Sequence, residues 1–399
     1  MASPFHELQP EVLIVGAGPV GLLLANLLGA AGVRCVLVEK RTEQGTHSRA
    51  IGITPPSLLG FQRLGLDQKL IALGVRVEEA VVSDGRRTLG HVEFRELPAP
   101  YPFLLAVPQI ATMRLLADNL AAFPSVTYRT GLELVGLEPQ PDKVRVRLLD
   151  HGTQAEWWLD APMMVGCDGH RSTARELSGI GLVRHRYRPQ FFMGDFEDRT
   201  TLGRRAHLFF TARGSVESFP LPGQLRRWVV LADVATEVAP PDYVARRVRE
   251  LAGFDLAGSR QFNQVHFQPE RLLCARYYRG RVALCGDAAH VMSPIGGQGM
   301  NNGFADAELL TQALVRICRE DAATEPLLRQ YNDYRRRAFR VAAARAARGM
   351  WLGTRTGYWA SAGRSWLIES VLLRPPVAER LPGYFAMLTI PFNFAVALA

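Results

Sequence analysis

The first forty residues carry the clearest alternation of apolar and turn-forming positions. Val12-Leu13-Ile14-Val15 is an unbroken apolar run, as a parallel strand covered on both faces requires. Gly16-Ala17-Gly18-Pro19-Val20-Gly21 follows, and a Leu/Ala-rich stretch from Leu22 predicts a helix reaching Ala30 and ended by Gly32. Val33 to Val38 predicts a second strand closing on Glu39. The segment thus reads as a complete βαβ unit.

Beyond Lys40 and Arg41 the chain turns polar, and short helical pieces are expected around Leu58–Leu64. Residues 76–108 alternate apolar and polar positions between Gly and Pro, which predicts short antiparallel strands. Gln109 to Ala122 has helical spacing at Leu115, Leu116 and Leu120. From Val126 to Leu159 the alternation, cleanest at Val144-Arg145-Val146-Arg147-Leu148, predicts a β-meander. Met163-Met164-Val165-Gly166 reads as another buried strand, and Val282-Ala283-Leu284-Cys285 as a further one. Between them, residues 184–270 combine strand-like runs with Phe191, Phe192, Phe196, Phe209, Phe210, Phe219, Trp228 and Phe267. This predicts a mostly β unit with an aromatic face, either a packed core or the wall of an apolar cavity. Helices are expected over Asn302–Cys318 and Pro326–Arg348, followed by an apolar helical end. The fold class is α/β, α+β overall.

The glycines of the first turn have separate jobs. Gly16 allows the tight turn, Gly18 lets backbone approach a pyrophosphate, and Gly21 lets helix lie close on strand. The helix N-terminus offers free N–H groups and the positive end of its dipole. Glu39 stands where an acid accepts hydrogen bonds from a ribose. Dinucleotide binding follows from that context rather than from the glycines alone.

Composition removes other classes. The 399 residues are 48% hydrophobic and 21% charged, ordinary for a globular chain. Net charge is +9, but Lys40, Lys69 and Lys143 are the only lysines, and the arginines are scattered without a finger, RNP or zipper pattern. The densest run, Arg335-Arg336-Arg337, reads as a solvated helix face. Nucleic acid is therefore not expected, whereas an anionic cofactor is favoured by the positive potential. Cys35, Cys167, Cys274, Cys285 and Cys318 form no CxxC pair or Cys/His cluster, so no metal site is expected. The first ten residues lack a secretory pattern and no apolar stretch is long enough to span a bilayer, which predicts a cytoplasmic protein.

Three separated motifs align: Gly16 to Gly21 with Glu39; Gly166-Cys167-Asp168-Gly169-His170-Arg171-Ser172; and the string from Gly286-Asp287-Ala288-Ala289-His290 through Pro294, Gly296, Gly297, Gly299, Met300 and Asn301 to Gly303. In this order they resemble the single-component FAD-dependent aromatic hydroxylases of the para-hydroxybenzoate hydroxylase fold, over residues 11 to about 345. The resemblance implies a discontinuous FAD-binding domain from residues 1–75, 105–183 and 271–345. It further implies a β-rich substrate domain from 76–104 and 184–270, and an apolar helical segment over 346–399. Gly16, Gly18, Pro19, Val20, Gly21, Glu39 and Lys40 would hold the ADP half of FAD, and Asp168 would lie near its pyrophosphate. Gln109 and Asp287 would bond the ribitol, and Pro294, Gly296, Gly297, Gly299, Met300 and Asn301 would surround the flavin ring. Arg49, in Ser48-Arg49-Ala50, would lie over the cofactor and receive the pyridine nucleotide. Arg49, Pro294 and Gly296 are thus the flavin-proximal candidates for catalysis. His290 fits a structural place in its motif, and His207 and Tyr101 are the candidates for activating the substrate.

The activity so implied is an NAD(P)H-dependent monooxygenase. It would put one oxygen atom of O2, through a flavin C4a-hydroperoxide, into a bulky apolar aromatic or polyketide-like substrate. The resemblance implies the compact form without a thioredoxin-like C-terminal domain, working as a monomer or homodimer. Trp351, Trp359, Trp366, Tyr384, Phe385, Phe392 and Phe394 make the tail a packed helix, a lid, or a peripheral membrane contact. Competing readings are a halogenase, whose Trp-x-Trp-x-Ile-Pro string is absent, a reductase of a prenyl lipid, and a non-enzymatic FAD-binding protein.

Overall fold

The structure is a computed structural model that describes residues 9–43, 50–233, 238–295 and 297–391. Its centre is a six-stranded sheet built from the apolar runs. We label β1 (Val12–Val15), α1 (Pro19–Ala30), β2 (Cys35–Glu39), β3 (Val126–Thr130), β4 (Met163–Gly166), β5 (Val282–Leu284), α2 (Gly299–Arg319) and α3 (Thr324–Gly353). The strand order is Tyr278–Arg279, β5, β4, β1, β2, β3, parallel throughout except for the Tyr278–Arg279 edge. Val12 pairs with Met163 on one side and Cys35 on the other, so β1 lies at the middle with every residue buried. At about 1.5–3 kcal/mol for each buried aliphatic side chain, this sheet is the main source of cohesion in its half of the molecule.

One strand differs from the expected meander. Val126–Thr130 pairs in parallel with β2, and only Leu132–Pro139, Val144–Asp150 and Glu156–Ala161 form the antiparallel set. The reason is local. Gly131 has φ +75°, which turns the chain between two strands that the alternation alone joins into one pattern. β3 is an edge strand with one partner, so it alternates like a meander strand.

A seven-stranded sheet forms the second body, in the order Val265–Phe267, Phe191–Glu197, Leu225–Leu231, Gly214–Leu221, Ala206–Thr211, Glu79–Ser83, Thr88–Glu93. Chain from before residue 100 and after residue 190 thus shares one sheet, joined by parallel pairing of Ala206 with Ala80. One face carries Phe192, Phe196, Phe209, Val216, Trp228 and Val230 against Val244, Val248 and Leu251 of the Tyr243–Ala252 helix. The opposite face carries Leu208, Phe210 and Phe219 and receives the C-terminal segment.

That segment is partly core and partly surface. Ile368 joins Val82 and Leu89, Phe385 and Ala386 pack toward Val77 and Ala80, and Met387 and Ile390 close on Met292 and Phe339. Trp351, Tyr358, Trp359 and Trp366 are exposed. Phe392 and Phe394 lie outside the described residues. Among the described residues no helix is long and apolar enough to cross a membrane.

Candidate functional site

The three glycine-containing motifs each begin where a parallel strand ends. Gly16 N–H donates to Val38 O (2.8 Å), Cys167 N–H to Val15 O (2.7 Å), and Cys285 N–H to Gly166 O (2.9 Å), so the motifs meet at one edge of the central sheet. This is the carboxyl edge, where ligands of open α/β sheets bind. Gly16 has φ +101°, and a Cβ there would lie 2.6 Å from the Cys167 carbonyl oxygen; at Gly21 it would lie 2.0 Å from Gly16 O. The Gly21 contact closes the first turn on itself, and the Gly16 contact holds the first motif against the second. Val20 does the same for the third: a Cβ on Gly303 would stand 2.5 Å from Val20 Cγ2, and one on Gly286 3.1 Å from the same atom. The first turns of α1 and α2 are thereby brought side by side.

Gly18 differs from its neighbours. It caps α1 ahead of Pro19, with φ −70° and ψ 178°, and nothing lies within 4 Å of where its Cβ would be. Gly297 (φ +65°) is equally open ahead of α2, and Pro294 is exposed. Two helix N-termini, whose first N–H groups have no partner inside the helix, therefore face open space at the same sheet edge. This is the cradle that a long, anionic dinucleotide needs, and the residues present fit FAD.

The polar residues around the cradle divide into those holding protein to protein and those left toward solvent. Glu39 accepts from Ala17 N–H (3.0 Å) and from Arg41 Nε (3.0 Å), which fixes its carboxylate beside the first turn. Lys40 is exposed and 3.6 Å from Glu133. Asp168 accepts from Ser172 Oγ (2.6 Å) and Ala174 N–H (2.9 Å), closing the second motif into a turn; burial pushes its carboxyl above the usual range. Gln109 opens the Gln109–Asn119 helix, its N–H bonded to Ala50 O and its Nε2 3.9 Å from Met113 Sδ. Asp287 is exposed in the turn after β5. Gly299 and Met300 open α2.

The side chain of Asn301 is wholly committed. Its Oδ1 accepts from Thr54 N–H (3.0 Å) and Ser57 Oγ (2.7 Å), and its Nδ2 donates to Gly52 O (2.9 Å) and Gly297 O (2.8 Å). Only its backbone can meet a cofactor. Arg49 and Gly296 lie outside the described residues.

Two groups escaped the sequence reading. Asp306, fully buried, accepts from Gly286 N–H (3.0 Å) and Arg335 Nε (2.6 Å) and lies 2.6 Å from His290 Nε2. Burial alone would raise its pKa, but His290 and Arg335 outweigh it and hold the carboxyl below its ordinary value. Arg335 is therefore no solvated residue: with Tyr331 and Phe339 it lies on the buried stripe of α3, a helical spacing that the run of three arginines concealed. The second group is Arg175, whose Nη1 donates to Ala288 O (3.0 Å) and Nη2 to His170 O (2.9 Å), clipping the second motif to the third.

The two candidates for substrate activation are both engaged elsewhere. Tyr101 donates to Asp67 Oδ2 (2.8 Å). His207 lies on the helix-covered face of the seven-stranded sheet, 3.4 Å from Leu202 O, and burial pushes its pKa down to about 4.

Comparison with known proteins bears on this geometry. The family model described as FAD binding domain matches residues 9–346. A 6-methylpretetramide 4-monooxygenase of Streptomyces rimosus is 34% identical over 80% of this chain and 58% of its own length. A rifampicin monooxygenase of Streptomyces venezuelae is 34% identical over 74% of this chain and 62% of its own. The chain thus spans about three fifths of the length of these two relatives. The crystal structure of a p-nitrophenol 4-monooxygenase from Pseudomonas putida superposes with a TM-score of 0.88 over 97% of this chain and 99% of that one, at 23% identity, a likeness of fold. The strand-end glycines, the paired helix N-termini and the match over residues 9–346 lead to one conclusion: the chain belongs to the FAD-dependent aromatic hydroxylase and monooxygenase family, with the FAD-binding fold of para-hydroxybenzoate hydroxylase.

Proposed function

We propose that this protein is an NAD(P)H-dependent FAD monooxygenase that places one oxygen atom of O2 on a bulky, apolar aromatic or polyketide-like substrate. The observation that carries the reading is the meeting of three motifs and two helix N-termini at one sheet edge, with a second, aromatic-rich sheet beside it. The names of the relatives, which act on a pretetramide and on rifampicin, support a large polycyclic substrate. FAD, when bound, supplies the hydride acceptance and oxygen activation that side chains lack.

The residues of this chain bind and orient. Gly16, Gly18 and Gly21 with the first turn of α1 receive the pyrophosphate, and Glu39 receives the ribose. Gln109 and Asp287 receive the ribitol, while Pro294, Gly297 and the backbone N–H groups of Gly299, Met300 and Asn301 border the flavin ring. The positive end of the α2 dipole favours negative charge there, which eases reduction. Arg49 and Gly296 complete this set. Residues 76–104 and 184–270 form the substrate domain, whose apolar face excludes water from the reacting atoms.

Anaerobic reduction by NADPH and by NADH tests this, with and without phenols, naphthoquinols and hydroxyanthraquinones. Flavin bleaching accelerated at least tenfold by one ligand class is expected. Reduction equally fast with every ligand, or absent with all, overturns the reading.

A further inference from the structure

Resting on the hydroxylase reading, we propose that Glu217 accepts the proton of the substrate's ring hydroxyl, which makes the ring electron-rich enough to take the oxygen atom. Glu217 sits at the middle of the Gly214–Leu221 strand, in register with Leu208 on one side and Val229 on the other. The alternation of the strand puts Val216 and Ser218 on the helix-covered face, so Glu217 stands on the opposite one, with Leu208, Phe210 and Phe219.

That face is tied at both ends to the cofactor cradle. On one side, Phe219 packs toward Val77 and Ala106, and Leu104–Ala106 pairs with Gly52–Ile53, the segment whose Gly52 carbonyl Asn301 holds. On the other, Phe210 lies 3.3 Å from where a Cβ of Gly353 would be, and the same turns of α3 meet the Pro294 loop: Met350 Sδ is 3.8 Å from Ser293 Oγ. Glu217 therefore lies on the sheet between two supports that both run to the start of α2 and the loop before it.

Its chemistry is out of place for a packing residue. Glu217 is partly buried between Leu208 and Val229, and among the described residues its carboxyl has no hydrogen-bond or ion-pair partner. Buried carboxylates are ordinarily paired, and an apolar residue would fill this place at less cost. Burial is the one cause acting on it, and raises its pKa to about 7, where a general base works best at neutral pH. Two arginines on the same side are engaged, and Glu369 of the covering C-terminal segment pairs with Arg87 at 2.6 Å. Arg227 is forked onto Asp195 at 2.7 and 2.8 Å, and Arg364 lies over the Phe210 ring while donating to Thr211 O and Arg355 O. The step is a proton loan: the hydroxyl O–H bond breaks to the carboxylate oxygen, and the proton returns to the product's phenoxide, so Glu217 ends in its starting charge.

The test uses the FAD-loaded full chain, wild type, Glu217→Gln and Glu217→Asp, with alizarin (1,2-dihydroxyanthraquinone) and the phenol panel as probes. The visible band of alizarin reports ionisation of its ring hydroxyl. We expect Glu217→Gln to lower hydroxylation about 100-fold or more. It should also abolish the acidic limb of the rate–pH profile near pH 7 and remove the ionised band of bound alizarin. FAD content and the rate of flavin reduction should stay within about twofold, and Glu217→Asp should restore part of each lost property. A Glu217→Gln enzyme with wild-type hydroxylation, pH profile and bound-dye spectrum overturns the assignment alone. A wild type that binds no probe and hydroxylates none overturns the hydroxylase reading and the assignment with it.

Discussion

Substituting Asp306 by Asn is the perturbation whose size the structure defines best. The carboxylate is fully buried and serves three partners at once: the Gly286 N–H that starts the third motif, His290 Nε2, and Arg335 Nε. Arg335 is also fully buried, and it donates to the backbone and side-chain oxygens of Asn302 at 3.1 and 3.3 Å. The amide keeps the volume but takes away the carboxylate charge that faces the buried guanidinium at 2.6 Å. Breaking one half of such a pair costs about 3–5 kcal/mol, a large share of the roughly 5–15 kcal/mol that holds a typical protein together. Replacing both, Asp306→Asn with Arg335→Met, removes the guanidinium together with its carboxylate, so the double variant should lose less than the two single losses added together. Urea unfolding followed by circular dichroism measures all four proteins. Because Gly286 leads directly into Asp287, the single variant should also retain less FAD through purification. A loss below about 1 kcal/mol for Asp306→Asn, or strict additivity in the cycle, would refute the reasoning.

The glycines of the first motif should separate folding from binding. Gly18→Val meets open space and a conformation valine adopts, so the apoprotein should unfold at the wild-type urea midpoint while FAD binds at least tenfold more weakly by equilibrium titration. Gly21→Ala should instead destabilise the apoprotein by about 1–3 kcal/mol, since its Cβ meets Gly16 O at 2.0 Å; equal effects of the two would sink this distinction. His207 sets a pH dependence. Its folded pKa, about 4, is below the unfolded value near 6.5, so the unfolded chain binds the proton first as pH falls. Stability is full above about pH 6.5 and declines toward pH 4, by about 3 kcal/mol at most, and His207→Leu should flatten that decline in urea midpoints measured across the range. Gly303→Val, aimed at Val20 Cγ2, should part α1 from α2 and lower both the melting temperature and FAD content; a variant with wild-type values would contradict the packing described.

Much of the cradle was legible because its signals are local. An all-apolar strand, a glycine turn and a Leu/Ala helix occupy consecutive residues, so Val12 to Glu39 could be read without the rest of the chain. The longer helices and the strands β4 and β5 were legible for the same reason. What escaped depends on partners distant in sequence. Asp306 and Arg335 look like solvent-facing charges until α2 and α3 are placed side by side, and the pairing of Val126–Thr130 depends on β2, far from it in the chain. Asn301 reads as a cofactor residue from its motif, yet its side chain is claimed by Thr54, Ser57 and Gly52, which nothing near it in the sequence announces. His207 and Tyr101 were candidates by residue type alone, and residue type does not say that His207 takes the helix-covered face of its sheet or that Tyr101 donates to Asp67.

The most direct test of the central claim is the fate of isotopically labelled dioxygen. The FAD-loaded enzyme is given NADPH, labelled O2 and the aromatic ligand that most accelerates flavin reduction, and the product is examined by mass spectrometry. The account predicts one labelled oxygen atom on the product ring, with one NADPH consumed per product formed. An unlabelled product carrying added hydrogen, or NADPH oxidised without any change in the ligand, would contradict it.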